Sequence, residues 1–222
     1  MEPEVYVRLA EGRGWRITRV LDTHVHADHL SRSRRLAEVA GATLHMPEGS
    51  PVSCPFSALG DGDSLGVGAA TLEAVRTPGH TPESTSYLLE GGALFTGDTL
   101  FLSAVGRPDL EATPEGSREK ARELYRSLRR LLAHDPDTLV LPGHTSEPVA
   151  FDGEPVAAPL SRVRERIRIL GETEDAFVEE IAGRVSPPPS NFERIVELNR
   201  AGEPQEGDPT DLEAGANRCA AG

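Results

Sequence analysis

The segment Thr-His-Val-His-Ala-Asp-His at residues 23–29 places three histidines and an aspartate directly after an apolar run at residues 17–21. The apolar run is typical of a buried strand, so the polar cluster falls where that strand ends. Because side chains alternate along an extended segment, His24 and His26 should point in the same direction. The aspartate and the last histidine can face the same space if a helix begins there. Imidazole and carboxylate groups together suit zinc or iron, so the segment predicts a metal site.

Three further ligand candidates each follow a predicted strand and lie beside a glycine: His80, Asp98 and His144. Glycine lets the backbone turn sharply and approach a metal closely. Together with the 23–29 segment, these motifs contain five of the seven histidines. One shared metal site at the strand ends is therefore expected.

Composition disfavours several classes of function. The net charge is −13, whereas a nucleic-acid partner requires a basic face. No apolar stretch approaches the roughly 20 residues that span a bilayer, and the N-terminus lacks the order of a signal peptide. The two cysteines, Cys54 and Cys219, form no metal or redox motif and fit a reducing compartment. A soluble cytoplasmic protein is expected, with neither nucleic acid nor membrane as a partner.

Strand and helix patterns alternate along the chain, which predicts an α/β layered fold. Ser190 and Glu193 predict a capping box for the last helix. Residues 1–150 are expected to form the main domain, and residues 151–222 a helical C-terminal extension with a loose end from residue 203. The other expected elements are helices at 4–11, 31–40 and from 113, a loop at 51–63, β structure at 64–105 with a turn at 91–92, and a strand at 138–141.

Four motifs resemble those of the metallo-β-lactamase superfamily: THVHADH at 23–29, TPGH at 77–80, TGDT at 96–99 and PGH at 142–144. The resemblance covers about residues 17–150 and implies an αββα sandwich with its metals at one edge of the two sheets. In dinuclear members, one metal is held at the positions matching His24, His26 and His80. The other metal is held at those matching Asp28, His29 and His144, and the Asp98 position bridges the two.

Two segments are similar to the persulfide dioxygenase (ETHE1-like sulfur dioxygenase) branch: residues 105–110, Val-Gly-Arg-Pro-Asp-Leu, and residues 187–196. This resemblance implies one Fe²⁺ per chain, held by His24, His80 and Asp98. The implied reaction converts a thiol persulfide, such as glutathione persulfide, and oxygen into sulfite and free thiol. Asp28 and His29 would then act near the iron rather than hold it. Arg107 would lie near the thiol substrate, where its fixed charge could meet a carboxylate.

Two other interpretations stay open. Seven ligand-type residues would also suit two Zn²⁺ ions with a bridging hydroxide that attacks a carbonyl, as in hydroxyacylglutathione hydrolase (glyoxalase II), a thioesterase. The third interpretation is a non-catalytic metal-binding or interaction module.

The segment before His24 is short for this family, with only 23 residues. The resemblance implies early strands that pair with the strand leading to His24. Without them, backbone groups and apolar side chains at 17–21 would meet water. We therefore expect that the first N-terminal strands are missing because of a start placed too far downstream. The alternative is that a second copy supplies them in a homodimer.

Overall fold

The computed structural model describes residues 2–145, 148–150, 152–184, 187–202, 209–214 and 219–221. The chain divides into two compact units. The first unit comprises Met1–Leu59 and Pro189–Asn217, and the second comprises Gly60–Pro188 and Arg218–Gly222. These compact units do not coincide with the two domains expected from the sequence, residues 1–150 and 151–222. The expected domain boundary at residue 150 stays a prediction. No helix in the described ranges is long and apolar enough to cross a membrane.

The elements are numbered along the whole chain. The helices are α1 (Pro3–Glu11), α2 (Ser33–Ala40), α3 (Pro114–Leu131), α4 (Leu160–Arg166), α5 (Glu174–Gly183), α6 (Phe192–Ala201) and α7 (Thr210–Glu213), with a 3-10 turn at Arg168–Gly171. The strands are β1 (Arg19–Leu21), β2 (Thr43–Pro47), β3 (Ser57–Leu59), β4 (Ser64–Val67), β5 (Ala70–Arg76), β6 (Thr85–Leu89), β7 (Ala93–Gly97), β8 (Val105–Gly106), β9 (Leu139–Pro142), β10 (Ala158–Pro159) and β11 (Ala220–Ala221).

The first unit contains a parallel three-stranded sheet in the order β1-β2-β3. Val20 of β1 lies opposite Leu44 of β2, and both belong to a small apolar core. Gly41 ends α2 in the left-handed conformation, with a φ of 62°. The expected loop at 51–63 is partly wrong, because β3 pairs with β2 there. A strand of three residues among turn formers is too short to show a periodic pattern.

The second unit contains a six-stranded sheet in the order β10-β9-β7-β6-β5-β4. Gly91 and Gly92 make the tight turn between β6 and β7, with φ values of 100° and 92°, which confirms that prediction. Thr113 caps α3, since its hydroxyl accepts a hydrogen bond from the Gly116 amide. The apolar stripe of α3 is buried at Ala121, Leu124, Leu128 and Leu131.

The chain after residue 187 differs from expectation in two places. The capping box at Ser190 does not form, because Asn191 is the residue before α6, in the left-handed conformation and without a side-chain cap. The loose end is wrong for the described residues, since α7 forms and β11 pairs antiparallel with β8. Residues 203–208, 215–218 and 222 lie outside the described chain. The β11 pairing brings residues 219–221 to β8, beside a ligand candidate of the second unit.

Candidate metal centre

The first ligand set (His24, His26, Asp28 and His29) lies in the loop between β1 and α2. One ligand atom from each of His26, Asp28 and His29 lies within 4.8 Å of the others. The ring centroids of His24 and His26 are 4.4 Å apart. No helix begins at Asp28, since α2, expected at 31–40, begins five residues later at Ser33. The set is therefore held by a loop, and its geometry depends on what supports that loop.

Asp22 supports the first ligand set from the end of β1. Its carboxylate accepts hydrogen bonds from Ser31 at 2.8 Å and Ser33 at 2.6 Å, and lies 3.9 Å from His26 Nε2. Burial alone would raise the pKa of the Asp22 carboxyl, but its interactions with His26 and then the hydrogen bonds from Ser33 and Ser31 hold the pKa below its ordinary value. A carboxylate behind a histidine fixes the orientation of the ring for metal binding.

Asn199 of α6 supports the same loop from a distant part of the chain. Its amide nitrogen donates to the carbonyls of His26 at 2.8 Å and His29 at 2.9 Å. Its amide oxygen accepts from the Ser31 backbone at 2.9 Å. The sequence analysis did not single out Asn199, since one asparagine on a helix carries no recognisable pattern. It is a positioning residue for the first ligand set.

The second ligand set (His80, Asp98 and His144) comes from three separate chain segments of the second unit. His80 Nε2 lies 3.7 Å from Asp98 Oδ2, and His144 Nε2 lies 3.3 Å from the same oxygen. His80 and Asp98 are both 2% exposed. The sheet thus brings together the three strand-end residues that the sequence proposed.

Two glycines make room for the second ligand set. A Cβ on Gly143 would lie 2.5 Å from Asp98 Oδ1. A Cβ on Gly106 would overlap the Asp98 carbonyl oxygen and lie 3.2 Å from His80 Cβ. Neither glycine has a positive φ. Glycine is therefore needed at these positions because neighbouring atoms lie too close for a side chain, and not because of the backbone conformation.

The Gly-Arg-Pro-Asp-Leu segment orients His80. The His80 Nδ1 lies 2.9 Å from the Arg107 carbonyl, which favours the tautomer with a proton on Nδ1 and a ligating Nε2. The Arg107 guanidinium is buried and binds both carboxylate oxygens of Asp109, at 2.8 and 2.6 Å, and the Pro187 carbonyl at 3.0 Å. The charge of Arg107 is paired with Asp109 in this structure, and the contact expected between Arg107 and a substrate carboxylate stays a prediction. Its role in the structure is to hold the segment that orients His80.

The donor types in both sets fit a transition metal. Imidazole nitrogens and carboxylate oxygens are ligands of zinc and of non-haem iron, and the second set holds both histidines within 4 Å of the Asp98 carboxylate, with His80 and Asp98 buried and His144 partly exposed. His45, by contrast, is buried on β2, where burial first and the charge of Arg19 second lower its pKa. It belongs to neither ligand set.

Comparison with known proteins identifies the family. The family model for the metallo-beta-lactamase superfamily matches residues 3–144, and the chain belongs to this superfamily. The α/β fold agrees, since the chain superposes on a metallo-beta-lactamase from Staphylococcus aureus with a TM-score of 0.81 and 26% identity, covering 91% of this chain and 64% of that one.

Individual relatives point to two branches of the superfamily. The structure of ETHE1 from Myxococcus xanthus has a TM-score of 0.76 and 32% identity, covering 90% of this chain and 83% of that one. A hydroxyacylglutathione hydrolase from Methylococcus capsulatus is 33% identical over 207 residues, which is 88% of this chain and 78% of the relative. With two other curated relatives, the match covers only 65% and 50% of their length, so the chain spans part of those proteins.

Proposed function

We propose that the chain is a non-haem iron persulfide dioxygenase. The observation that carries the proposal is the position of the Gly-Arg-Pro-Asp-Leu segment, whose Arg107 carbonyl lies 2.9 Å from His80 Nδ1. The sequence of this segment suggested the dioxygenase branch, and in the structure the segment contacts the metal-ligand candidate His80. The 32% identity to ETHE1 from Myxococcus xanthus over most of both chains supports the same branch.

The proposed iron ligands are His24 of the first ligand set with His80 and Asp98 of the second. When bound, a ferrous ion held by two histidines and one carboxylate has open positions for oxygen and for a substrate sulfur. The balanced reaction is R-SSH with O₂ and H₂O giving R-SH, sulfite and two protons. The proposed substrates are a small thiol persulfide and oxygen. The proposed location is the cytoplasm, with no nucleic-acid or membrane partner. The chain would act alone or as a homodimer.

The chain's own residues position the groups that bind. The Arg107 carbonyl holds the Nδ1 proton of His80, so that Nε2 is the ligating atom. The Thr23 hydroxyl lies 2.9 Å from His24 Nδ1, which leaves Nε2 as the ring nitrogen that could ligate. The burial of His24, His80 and Asp98 keeps bulk water from competing with the thiol substrate.

The test is metal content and oxygen consumption of the chain purified without added metal. One iron per chain is expected, with oxygen uptake and sulfite release when glutathione persulfide is supplied. Alanine at His24, His80 or Asp98 should abolish iron and activity together, whereas His144→Ala should leave iron bound. The matched control is His134→Ala, because His134 lies in neither ligand set. Two zinc ions per chain and no oxygen uptake would contradict the proposal.

Thioester hydrolysis is the second candidate function. Its support is the name of the Methylococcus capsulatus relative and the presence of Asp28, His29 and His144 as additional ligand-type residues. Two metals with a shared hydroxide would suit attack on a carbonyl. Cleavage of a glutathione thioester by the zinc-loaded protein, with loss of both metals in His144→Ala, would favour hydrolysis over oxidation.

A further inference from the structure

One face of α3 holds the two loops that determine the position of His80. His80 follows a turn, and its Nδ1 lies 2.9 Å from the carbonyl of Arg107 in the segment 105–110. Side chains of α3 bind a backbone carbonyl in each of these loops, at distances of 2.7 and 2.8 Å. The two side chains, Lys120 and Ser127, are two helical turns apart and therefore lie on the same side of the helix.

Ser127 holds the backbone directly before His80. Its hydroxyl donates to the Pro78 carbonyl at 2.7 Å, and Ser127 is 5% exposed. Gly79 has a φ of 134°, and a Cβ there would overlap the Leu124 backbone nitrogen. A buried carbonyl needs a donor, and a serine within a helix more often bonds to its own helix or faces solvent. The turn before His80 therefore lies directly on α3, and Ser127 is bonded across this contact.

Lys120 holds the second loop. Its Nζ donates to the Leu110 carbonyl at 2.8 Å, in the same segment as Arg107. Of the 23 lysine and arginine residues, Lys120 is the only lysine. Its compact ammonium suits a single carbonyl, whereas arginine presents a wider fork of donors. Burial lowers the pKa of Lys120, and nearby carboxylates, with Glu111 first, oppose that effect. The segment 105–110 is therefore tied to α3 by a half-buried ammonium.

We propose that Ser127 and Lys120 are positioning residues for the His80 ring. Ser127 fixes the backbone before His80, and Lys120 fixes the segment whose Arg107 carbonyl orients the ring. His80 Nε2 lies 3.7 Å from Asp98 Oδ2, whereas a shared metal needs each atom at about 2.0–2.2 Å. A displacement of His80 by more than about 0.5 Å would therefore weaken ligation. This role rests on the proposed metal centre, but not on the choice between oxidation and hydrolysis.

The test is cobalt binding by the full chain after removal of metal, followed by visible absorption. Ser127→Ala should bind Co²⁺ about 10-fold more weakly, as expected for loss of a residue that orients a ligand, and should shift the visible bands because the ligand geometry changes. Ser117→Ala is the matched control on α3, because Ser117 is 6% exposed and its hydroxyl has no hydrogen-bond partner within the described chain. The control should keep the affinity and the bands of the unaltered chain.

Two results with Ser127→Ala would overturn the role of Ser127. One is cobalt binding equal to that of Ser117→Ala. The other is weaker binding with unchanged bands, because that combination reports lower stability without a change in ligand geometry.

Lys120→Met tests the second loop and keeps the inference testable if Ser127→Ala does not fold. The change removes the donor to the Leu110 carbonyl and keeps a long unbranched side chain. Co²⁺ affinity should again fall about 10-fold, with a shift of the visible bands. The control is Arg122→Met, which removes a cation of the same helix that pairs with the exposed Glu119. Equal cobalt binding by Lys120→Met and Arg122→Met would refute the role of Lys120.

Failure of the proposed oxidation shows separately from failure of the positioning role. A chain that binds Co²⁺ and loses the bands in His80→Ala, yet takes up no oxygen when its iron form is given glutathione persulfide, would contradict only the dioxygenase. The positioning role would then stand on the spectra of the α3 variants. A chain that binds no Co²⁺ would overturn both the metal centre and the positioning role.

Discussion

The first ligand set comes from six consecutive positions in one loop, whereas the second comes from separate segments that meet only in the folded second unit. Each set combines buried and partly exposed ligands. In the first set His24 is 1% exposed and the His29 side chain 37%, and in the second set the His80 and Asp98 side chains are 2% and 1% exposed and that of His144 is 23% exposed. A local cluster needs support from outside the loop, which Asp22 and Asn199 give. The second set comes together at the ends of separate strands, and its buried members, His80 and Asp98, need the space that Gly106 and Gly143 leave free.

Asp98→Ala should have the largest effect, because this carboxylate lies within 4 Å of both histidines in the second set. Metal affinity should fall by roughly 100-fold or more. Removing a residue that only orients a ligand lowers metal affinity about 10- to 100-fold, and loss of a direct ligand should cost at least as much. The measurement is competition with a chromophoric chelator. His134→Ala should bind metal like the unaltered chain. Equal affinity in the Asp98 variant would show that the second set is not a metal site.

Gly106→Ala should destabilise the second unit by about 1–3 kcal/mol, because the new methyl group would overlap the Asp98 carbonyl oxygen. The measurement is chemical denaturation together with metal content. Gly66→Ala on β4 is the control, since nothing lies within 4 Å of its new methyl group, and its change should stay within about 0.5 kcal/mol. Similar stability in the two variants would contradict the view that space limits the second set.

Asn199→Ala should lower stability by about 1–3 kcal/mol, because it leaves the His26 and His29 carbonyls without their side-chain donor. Metal affinity should fall less than in Asp98→Ala, since every ligand of the first set is still present. Arg194→Ala on the same helix is the control, because its ion pair with Glu197 is exposed. If Asn199→Ala and Arg194→Ala behave alike, the loop does not depend on α6.

The Arg130–Asp61 ion pair lies outside both ligand sets and should have the smallest effect. The hydrogen bond from Arg130 lowers the pKa of the Asp61 carboxyl below its ordinary value of 3.8. A lowered folded-state pKa adds stability above pH 3.8, and that stability disappears as the pH falls through the folded-state pKa. Because both side chains are more than 40% exposed, Asp61→Asn should cost at most about 1 kcal/mol at neutral pH. A larger loss, or one that persists at pH 2, would be inconsistent with an exposed pair.

The difference between the two ligand sets also explains what the sequence could predict. The first set was visible as a motif, because its members are neighbours in the chain and follow an apolar run. The second set could be proposed because His80, Asp98 and His144 each follow a strand beside glycine, and the structure brings them together. The hairpin at Gly91–Gly92 and the capped helix α3 were predictable for the same reason, since local residues determine them.

Features that depend on contacts between distant segments were not predictable. Asn199 and Cys219 have no local pattern, and only the packing of α6 and the pairing of β11 give them their positions. The partners of Arg107, Asp109 and the Pro187 carbonyl, were not predicted, because they are not evident from the Gly-Arg motif. The short strand β3 was missed because its pairing with β2 leaves no periodic signal in three residues.

The proposed function depends most directly on iron binding by residues of the second ligand set. The most direct measurement is the iron content, by elemental analysis, of the unaltered chain and of His80→Ala and Asp98→Ala purified in parallel. We predict one iron per unaltered chain and none in either variant, with both variants keeping the circular dichroism of the folded protein. Iron retained by either variant at the level of the unaltered chain would contradict the claim.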